Sequence, residues 1–215
     1  MDYKYILFDL DGTVADPGIG ITNSVMHALE KFGIIEDDRR ALYKFIGPPL
    51  SESFQQFYQF SEEDALLGIE YYREYFTERG IFENVVYEGM EELLAALVEQ
   101  GMELIIATSK PEAFARQILE HFRLDGYFAF IAGATMDEKR VKKAEVIAYA
   151  LESRGIRDLS RVLMIGDREH DVIGAHKTGV DVMGVLYGYG SREELEEAGA
   201  DYIAENVGDI KKFLS

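Results

Sequence analysis

Two aspartates, Asp9 and Asp11, stand in the run Asp9-Leu10-Asp11-Gly12-Thr13 directly after the apolar stretch Tyr5-Ile6-Leu7-Phe8. Alternation along an extended chain puts both carboxylates on one side as the chain leaves a strand. Held that close they repel by roughly 4 kcal/mol at an effective dielectric of about 20, so a fold that keeps them together needs a cation or a shared proton. An ordinary turn is the competing account, since Asp and Gly are turn residues. An EF-hand calcium loop does not fit, because glycine would be required where Val14 stands. A second acidic pair follows Val162-Leu163-Met164-Ile165, in Gly166-Asp167-Arg168-Glu169-His170-Asp171. Asp167 leaves a strand end, and Asp171, four residues on, falls on the same side of the turn that starts the next helix. A helix N-cap at Asp167 with a first-turn charge at Asp171 explains the same residues without a site. If both pairs reach the carboxyl edge of one sheet, four carboxylates converge there, with His170 read as an outward-pointing neighbour. Such a set calls for a hard, oxygen-loving cation, Mg²⁺ first.

Two further groups suit an anion. Thr108-Ser109-Lys110-Pro111-Glu112 follows the apolar run Leu104-Ile105-Ile106, and Ser109 with Glu112 has capping-box spacing. A helix N-terminus fronted by a free hydroxyl is also a phosphate site, with Thr108 placed to hold one oxygen. Lys139-Arg140-Val141-Lys142-Lys143 precedes a helix with Ala144, Ile147, Ala150 and Leu151 on one face. Cations at a helix start oppose the macrodipole by roughly 0.3–1 kcal/mol each; a bound anion resolves that conflict, and a surface patch is the alternative. No phosphate-binding Gly-x-x-x-x-Gly-Lys loop, Gly-x-Ser-x-Gly elbow or His-Glu-x-x-His pair is present. Gly18 and Gly20 imitate a dinucleotide loop, but Asn23 occupies the third glycine position.

The elements that must position these groups alternate in period. Strands are expected at 5–8, 103–107, 128–132, 162–165 and 181–185, and helices at 90–99, 112–121, 143–154 and 172–177, the last two stopping at Gly155 and Gly179. This is the pattern of an α/β fold with a parallel sheet. Between residues 16 and 85 four helical patterns (19–32, 39–45, 50–60, 62–78) occur without a convincing strand. The expected organisation is a core of residues 1–15 and 86–215 with an inserted all-helical domain at 16–85. Such an insert follows the first strand, where ligand sites form in these sheets.

Composition narrows the classes. With 47% hydrophobic residues in 215, one core domain carrying an insert is expected. The charge of −18 repels nucleic acid and anionic lipid, so neither nucleic acid nor membrane is expected as a partner. The absence of cysteine removes disulfide scaffolds, thiolate nucleophiles and zinc ribbons, and fits a cytoplasmic setting. The chain is expected to be unprocessed, and a monomer or homodimer.

In order and spacing, Asp-x-Asp-Gly-Thr, then Thr108, then Lys143, then Gly-Asp-x-x-x-Asp resembles the haloacid-dehalogenase-like (HAD) superfamily of phosphatases over nearly the whole chain. The resemblance implies a Rossmann-like parallel sheet core with an inserted all-helical cap of the C1 type. It implies Asp9 as nucleophile, forming an aspartyl-phosphate, and Asp11 as general acid and then base. Mg²⁺ would be held by Asp9, the Asp11 backbone carbonyl, Asp167 and, in support, Asp171. Thr108 and Lys143 would bind phosphoryl oxygens, with backbone donors around Leu10 and Ser109. Phe45-Ile46-Gly47-Pro48-Pro49-Leu50 and Thr108-Ser109-Lys110-Pro111 are most similar to the phosphoglycolate-phosphatase-like group, although Asp16-Pro17 and Lys143-Ala-Glu depart from its pattern. The expected substrate is a small phosphorylated metabolite, phosphoglycolate first, with Lys44 and Gly47 as the residues that read it. A 5'-nucleotidase or pyrophosphatase, a phosphomutase, and a non-catalytic phospho-acceptor module are the alternatives.

Overall fold

The structure, a computed structural model, describes residues 2–137 and 139–215. Met1, where the expected core begins, lies outside them, as does Glu138. The described chain divides into two compact units, one of residues 2–16 with 86–215 and the other Pro17–Val85.

The first unit is built on a six-stranded parallel sheet. From edge to edge the strands are Phe128–Ala134, Glu103–Pro111, Tyr5–Phe8, Val162–Gly166, Asp181–Val185 and Tyr202–Ala204. The chain runs outward from Tyr5–Phe8 in one direction, then returns to build the other half, so a topological switch point lies beside the first strand. The central strands are unbroken apolar runs because helices cover both faces. Ile6, Leu7, Phe8, Leu104, Ile105, Ile106, Leu163, Met164 and Ile165 are all buried. On one face Leu7, Ile105, Met164 and Val182 pack with Val146, Ile147 and Ala150 of the helix Lys143–Ser153 and with Val172 and Ala175 of the helix Glu169–Thr178. Register sets the site: Phe8 lies opposite Ile106 on one side and Ile165 on the other. The residues after each therefore leave the sheet at one edge.

Several boundaries differ from expectation for identifiable reasons. The second strand runs on to Pro111, so Ser109 is strand, and the helix Glu112–His121 starts with Pro111 at its N-cap and no side-chain cap. The Ser109–Glu112 capping box does not form; Glu112 turns instead to Arg116 and Arg140. Phe122 caps that helix, and the left-handed residue that follows is Arg123, at φ +59°, rather than a glycine. Glycine does close Glu169–Thr178, where Gly179 takes φ +77°. Asp167 is not a helix cap: Arg168 occupies that position, and the helix begins at Glu169 rather than Val172.

The second unit contains the helices Gly18–Lys31, Leu50–Tyr58 and Glu62–Glu78, while 39–45 is 3-10 helix rather than α. Its core is aromatic: Phe45 meets Phe54 edge-on at 5.2 Å and Phe54 stacks on Phe60 at 5.5 Å. Its beginning and end are tied together. Gly20 N–H donates to Glu83 O at 3.2 Å, and a Cβ on Gly20 would lie 2.0 Å from Gly80 O, so only glycine permits this approach. Lys44 is exposed, with Nζ 4.6 Å from the Phe57 ring centroid and 5.6 Å from that of Tyr58. Gly47 takes φ +104°. No helix among the described residues is long and apolar enough to cross a membrane.

Candidate active site

At the carboxyl edge of the sheet the chain turns sharply after Phe8. Asp9 N–H still donates to Ile165 O at 2.9 Å, so Asp9 sits at the last rung between the first strand and Val162–Gly166. Asp9 Oδ1 accepts from Leu10 N–H at 2.8 Å. Gly12 takes φ +82°, and a Cβ there would lie 2.2 Å from Asp167 Oδ2. The turn can pass this close to the fourth strand's aspartate only as glycine.

Asp9, Asp167 and Asp171 are buried, and each offers a carboxylate oxygen within 4.8 Å of the others. Burial holds the Asp167 carboxyl well above the ordinary range, and the charges of Asp171 and Asp9 push it further. Asp171 is raised as well, by burial first, against the pull of Lys143. Its Oδ2 accepts from Arg168 N–H at 3.1 Å. A Cβ on Gly166 would lie 2.2 Å from Asp171 Cγ, which explains glycine before the aspartate.

Lys143 joins these groups. Its Nζ lies 2.8 Å from Asp9 Oδ1 and 2.8 Å from Asp171 Oδ1, and donates to Ala107 O at 3.0 Å. Burial disfavours its charge, but Asp171 and Asp9 outweigh burial and raise its pKa. Within 139–143, Lys143 thus has carboxylates of the protein itself as partners. Of the other bases, Lys139 pairs with Asp137, and Arg140 reaches Glu112 and Gly133 O. Lys142 is exposed, and its backbone N–H donates to Glu145.

Thr108 is buried beside Ala107, and its Oγ1 accepts from Lys110 N–H at 3.2 Å; Ser109 is half-buried. Asp9, Asp167, Asp171 and Lys143 are thus brought into one cluster, and Asp11 and Thr108 lie on the two segments that carry it. Lys44 and Gly47 belong to the second unit.

Sequence reasoning passed over two features. Lys110 holds both oxygens of Asp11, at 2.8 and 2.6 Å. The segment Tyr187-Gly188-Tyr189-Gly190 braces the first loop and Asp167 together. Tyr189 N–H donates to Asp167 Oδ2 at 2.8 Å, Tyr187 OH to Thr13 O at 3.0 Å, and Tyr189 OH to Asp16. A Cβ on Gly188 would lie 2.4 Å from both Asp167 Cβ and Gly12 O, and one on Gly190 2.0 Å from Asp167 O. The repeated Tyr-Gly after a strand was the available signal.

Comparison with known proteins agrees with this architecture. Residues 6–185 match the profile of the haloacid dehalogenase-like hydrolases. A 5'-nucleotidase of Pseudomonas aeruginosa is 45% identical over 212 residues, covering 99% of this chain and 96% of that protein. A protein of Mycobacterium tuberculosis named tyrosine-protein kinase PtkA is 36% identical over 98% of this chain and 72% of its own length. A phosphoglycolate phosphatase of Vibrio parahaemolyticus is 26% identical over 100% and 97%. The crystal structure of a predicted phosphatase from Clostridium acetobutylicum superposes with a TM-score of 0.97 at 50% identity, over 100% of this chain and 99% of that one. With the profile spanning both acidic pairs and the strands that carry them, the chain belongs to the haloacid dehalogenase-like hydrolase family.

Proposed function

We propose that this hydrolase is a Mg²⁺-dependent phosphatase of small phosphate monoesters that works through an aspartyl-phosphate on Asp9. The observation that carries the reading is the buried cluster of Asp9, Asp167 and Asp171 around Lys143. Its donors fit Mg²⁺: all are oxygens, and the four carboxylates at the site, set against Lys110 and Lys143, leave two negative charges for a divalent ion to balance. Asp9 and Asp167, with Asp171 and the Asp11 carbonyl behind them, would hold the ion. Bound there, it neutralises charge so that a phosphate dianion can approach a carboxylate.

The chain's own groups then divide the work. An Asp9 oxygen attacks phosphorus, the ester P–O bond breaks, and the leaving oxygen takes a proton from Asp11. Water next attacks the phosphoryl group, gives its proton to Asp11 and returns the bonding pair to the Asp9 carboxylate. Lys143, with its Nζ fixed beside Asp9, binds a phosphoryl oxygen, and Thr108 offers a hydroxyl to another.

For the leaving group, nucleoside 5'-monophosphates stand ahead of phosphoglycolate, because the relative named 5'-nucleotidase is much more similar than the one named phosphoglycolate phosphatase. Charge supports an uncharged leaving group: each lysine of the site is already held by carboxylates, which suits a monoester better than pyrophosphate. In this reading the helical unit selects the leaving group, and Lys44 and Gly47 are the residues to test for that role. The test is a panel of nucleoside monophosphates, phosphoglycolate, pyrophosphate and p-nitrophenyl phosphate, with Mg²⁺ and with EDTA. Nucleoside monophosphates should give the highest kcat/KM and EDTA should abolish turnover. Full activity in chelator overturns the metal, and preference for a carboxylated ester overturns the substrate class.

A further inference from the structure

Asp11 is held by a residue to which the scheme above gives no part. Both of its oxygens accept from Lys110 Nζ, and the two side chains are only 11% and 5% exposed. The lysine reaches this position because the strand Glu103–Pro111 runs past its apolar centre and lies beside Tyr5–Phe8 in parallel register. Its backbone is fixed in turn by Thr108 Oγ1. The two buried lysines therefore serve different carboxylates: Lys143 joins Asp9 to Asp171, and Lys110 takes Asp11. A carboxylate on a turn has three staggered positions open to it, and a buried ammonium that spans both oxygens selects one.

We propose that Lys110 is a positioning residue that fixes the Asp11 carboxylate for the second displacement, the attack of water on the aspartyl-phosphate. This rests on the phosphatase reading given above. In that step a water oxygen bonds to phosphorus as the bond from phosphorus to Asp9 breaks. The bonding pair returns to the Asp9 carboxylate, the water proton passes to Asp11, and inorganic phosphate leaves. A base displaced by about 1 Å from the water's path loses on the order of 10²-fold in rate.

p-Nitrophenyl phosphate isolates this step, because p-nitrophenolate departs without needing a proton and the first displacement then makes little demand on Asp11. With Lys110→Met, rapid mixing should show a burst of p-nitrophenolate close to one per enzyme, followed by a steady rate lower by about 10²-fold. The phosphoenzyme should accumulate, and KM should fall with kcat. Lys110→Arg, which keeps a cation, should recover turnover and lose the burst. A Tm increment from Mg²⁺ should persist in both variants. If Lys110→Met does not fold, Lys110→Gln, which keeps a polar side chain without the charge, replaces it with the same expectations. An unchanged kcat, or a first displacement slowed as much as the second, overturns the inference. If the wild-type enzyme carries no phosphoryl group on Asp9 at any stage, the aspartyl-phosphate reading falls and takes the inference with it. Labelled wild type with an unaffected Lys110→Met sinks the inference alone.

Discussion

Replacing Lys143 by methionine removes one charge from the centre of the site while keeping most of its volume. The stem is packed closely, since a Cβ on Gly174 would lie 2.7 Å from Lys143 Cγ, and methionine fills that space. The lost ammonium makes two contacts of 2.8 Å, each worth roughly 6 kcal/mol of attraction at an effective dielectric of about 20, before the cost of burying the charges is deducted. Breaking a buried pair by removing one partner has a net cost of about 3–5 kcal/mol, because the surviving charges stay buried and uncompensated. For a chain of this length each kcal/mol lowers Tm by about 2–4 °C, so the metal-free variant should melt roughly 6–20 °C below wild type. Mg²⁺ should reverse much of that loss. Its charge acts on the same carboxylates, and the cation that repels it is gone, so the Tm increment from Mg²⁺ should be larger in Lys143→Met than in wild type. Calorimetry of both proteins in EDTA and in saturating Mg²⁺ decides the matter. Equal melting of the two metal-free proteins, or a smaller Mg²⁺ increment in the variant, would refute the electrostatic account of the cluster. Turnover should be lost whichever way the stability falls.

Asp11→Asn should keep the Tm increment from Mg²⁺ and lose turnover by about 10²–10⁴-fold; loss of the increment would mean that its carboxylate, not its carbonyl, meets the metal. Gly188→Ala drives a methyl group into Asp167 and Gly12, so Mg²⁺ affinity by titration calorimetry should fall by about 10–100-fold, and an unchanged affinity would remove the Tyr187–Gly190 segment from the site. The raised pKa of Asp167 means that the folded, metal-free protein holds this proton more tightly than the unfolded chain. Its contribution to stability is present at low pH and is lost as pH rises through the raised value, while Mg²⁺ binds the deprotonated carboxylate. The Tm increment from Mg²⁺ should therefore grow with pH across that range, and an increment independent of pH would contradict the assignment.

The sheet was legible because its central strands, enclosed on both faces, are continuous runs such as Leu104-Ile105-Ile106, and no polar residue interrupts them. Their ends were harder to read. Thr108, Ser109 and Lys110 look like a loop by composition, yet pairing with Phe128–Ala134 carries the strand through to Pro111. The clustering of the aspartates could be inferred because Asp9 and Asp167 each follow a strand directly, Asp171 lies in the first turn of the helix after the second of these, and parallel strands end at a common edge. The place of Lys143 was legible only through the family resemblance, because its partners, Asp9 after the first strand and Asp171 in the helix Glu169–Thr178, are far away in sequence and a local reading of 139–143 sees only a run of like charges. Lys110 was hidden for the same reason. Gly188 and Gly190 owe their identity to Asp167 and Gly12, contacts that exist only once the sheet has assembled.

The Gly20 to Glu83 hydrogen bond, with Gly80 pressed against Gly20, makes the helical unit a detachable part. Because its entry and exit are clasped together, its host strand order is interrupted as if by a short loop, however long the intervening chain. A different module whose ends meet at the same spacing could be grafted there with the order of the six strands left intact. If the proposed function holds, leaving-group preference and phosphoryl chemistry are thereby separated into exchangeable and fixed parts of one gene. Diversification of substrate range among such chains is accordingly expected to concentrate between Pro17 and Val85, while the sheet edge stays as it is.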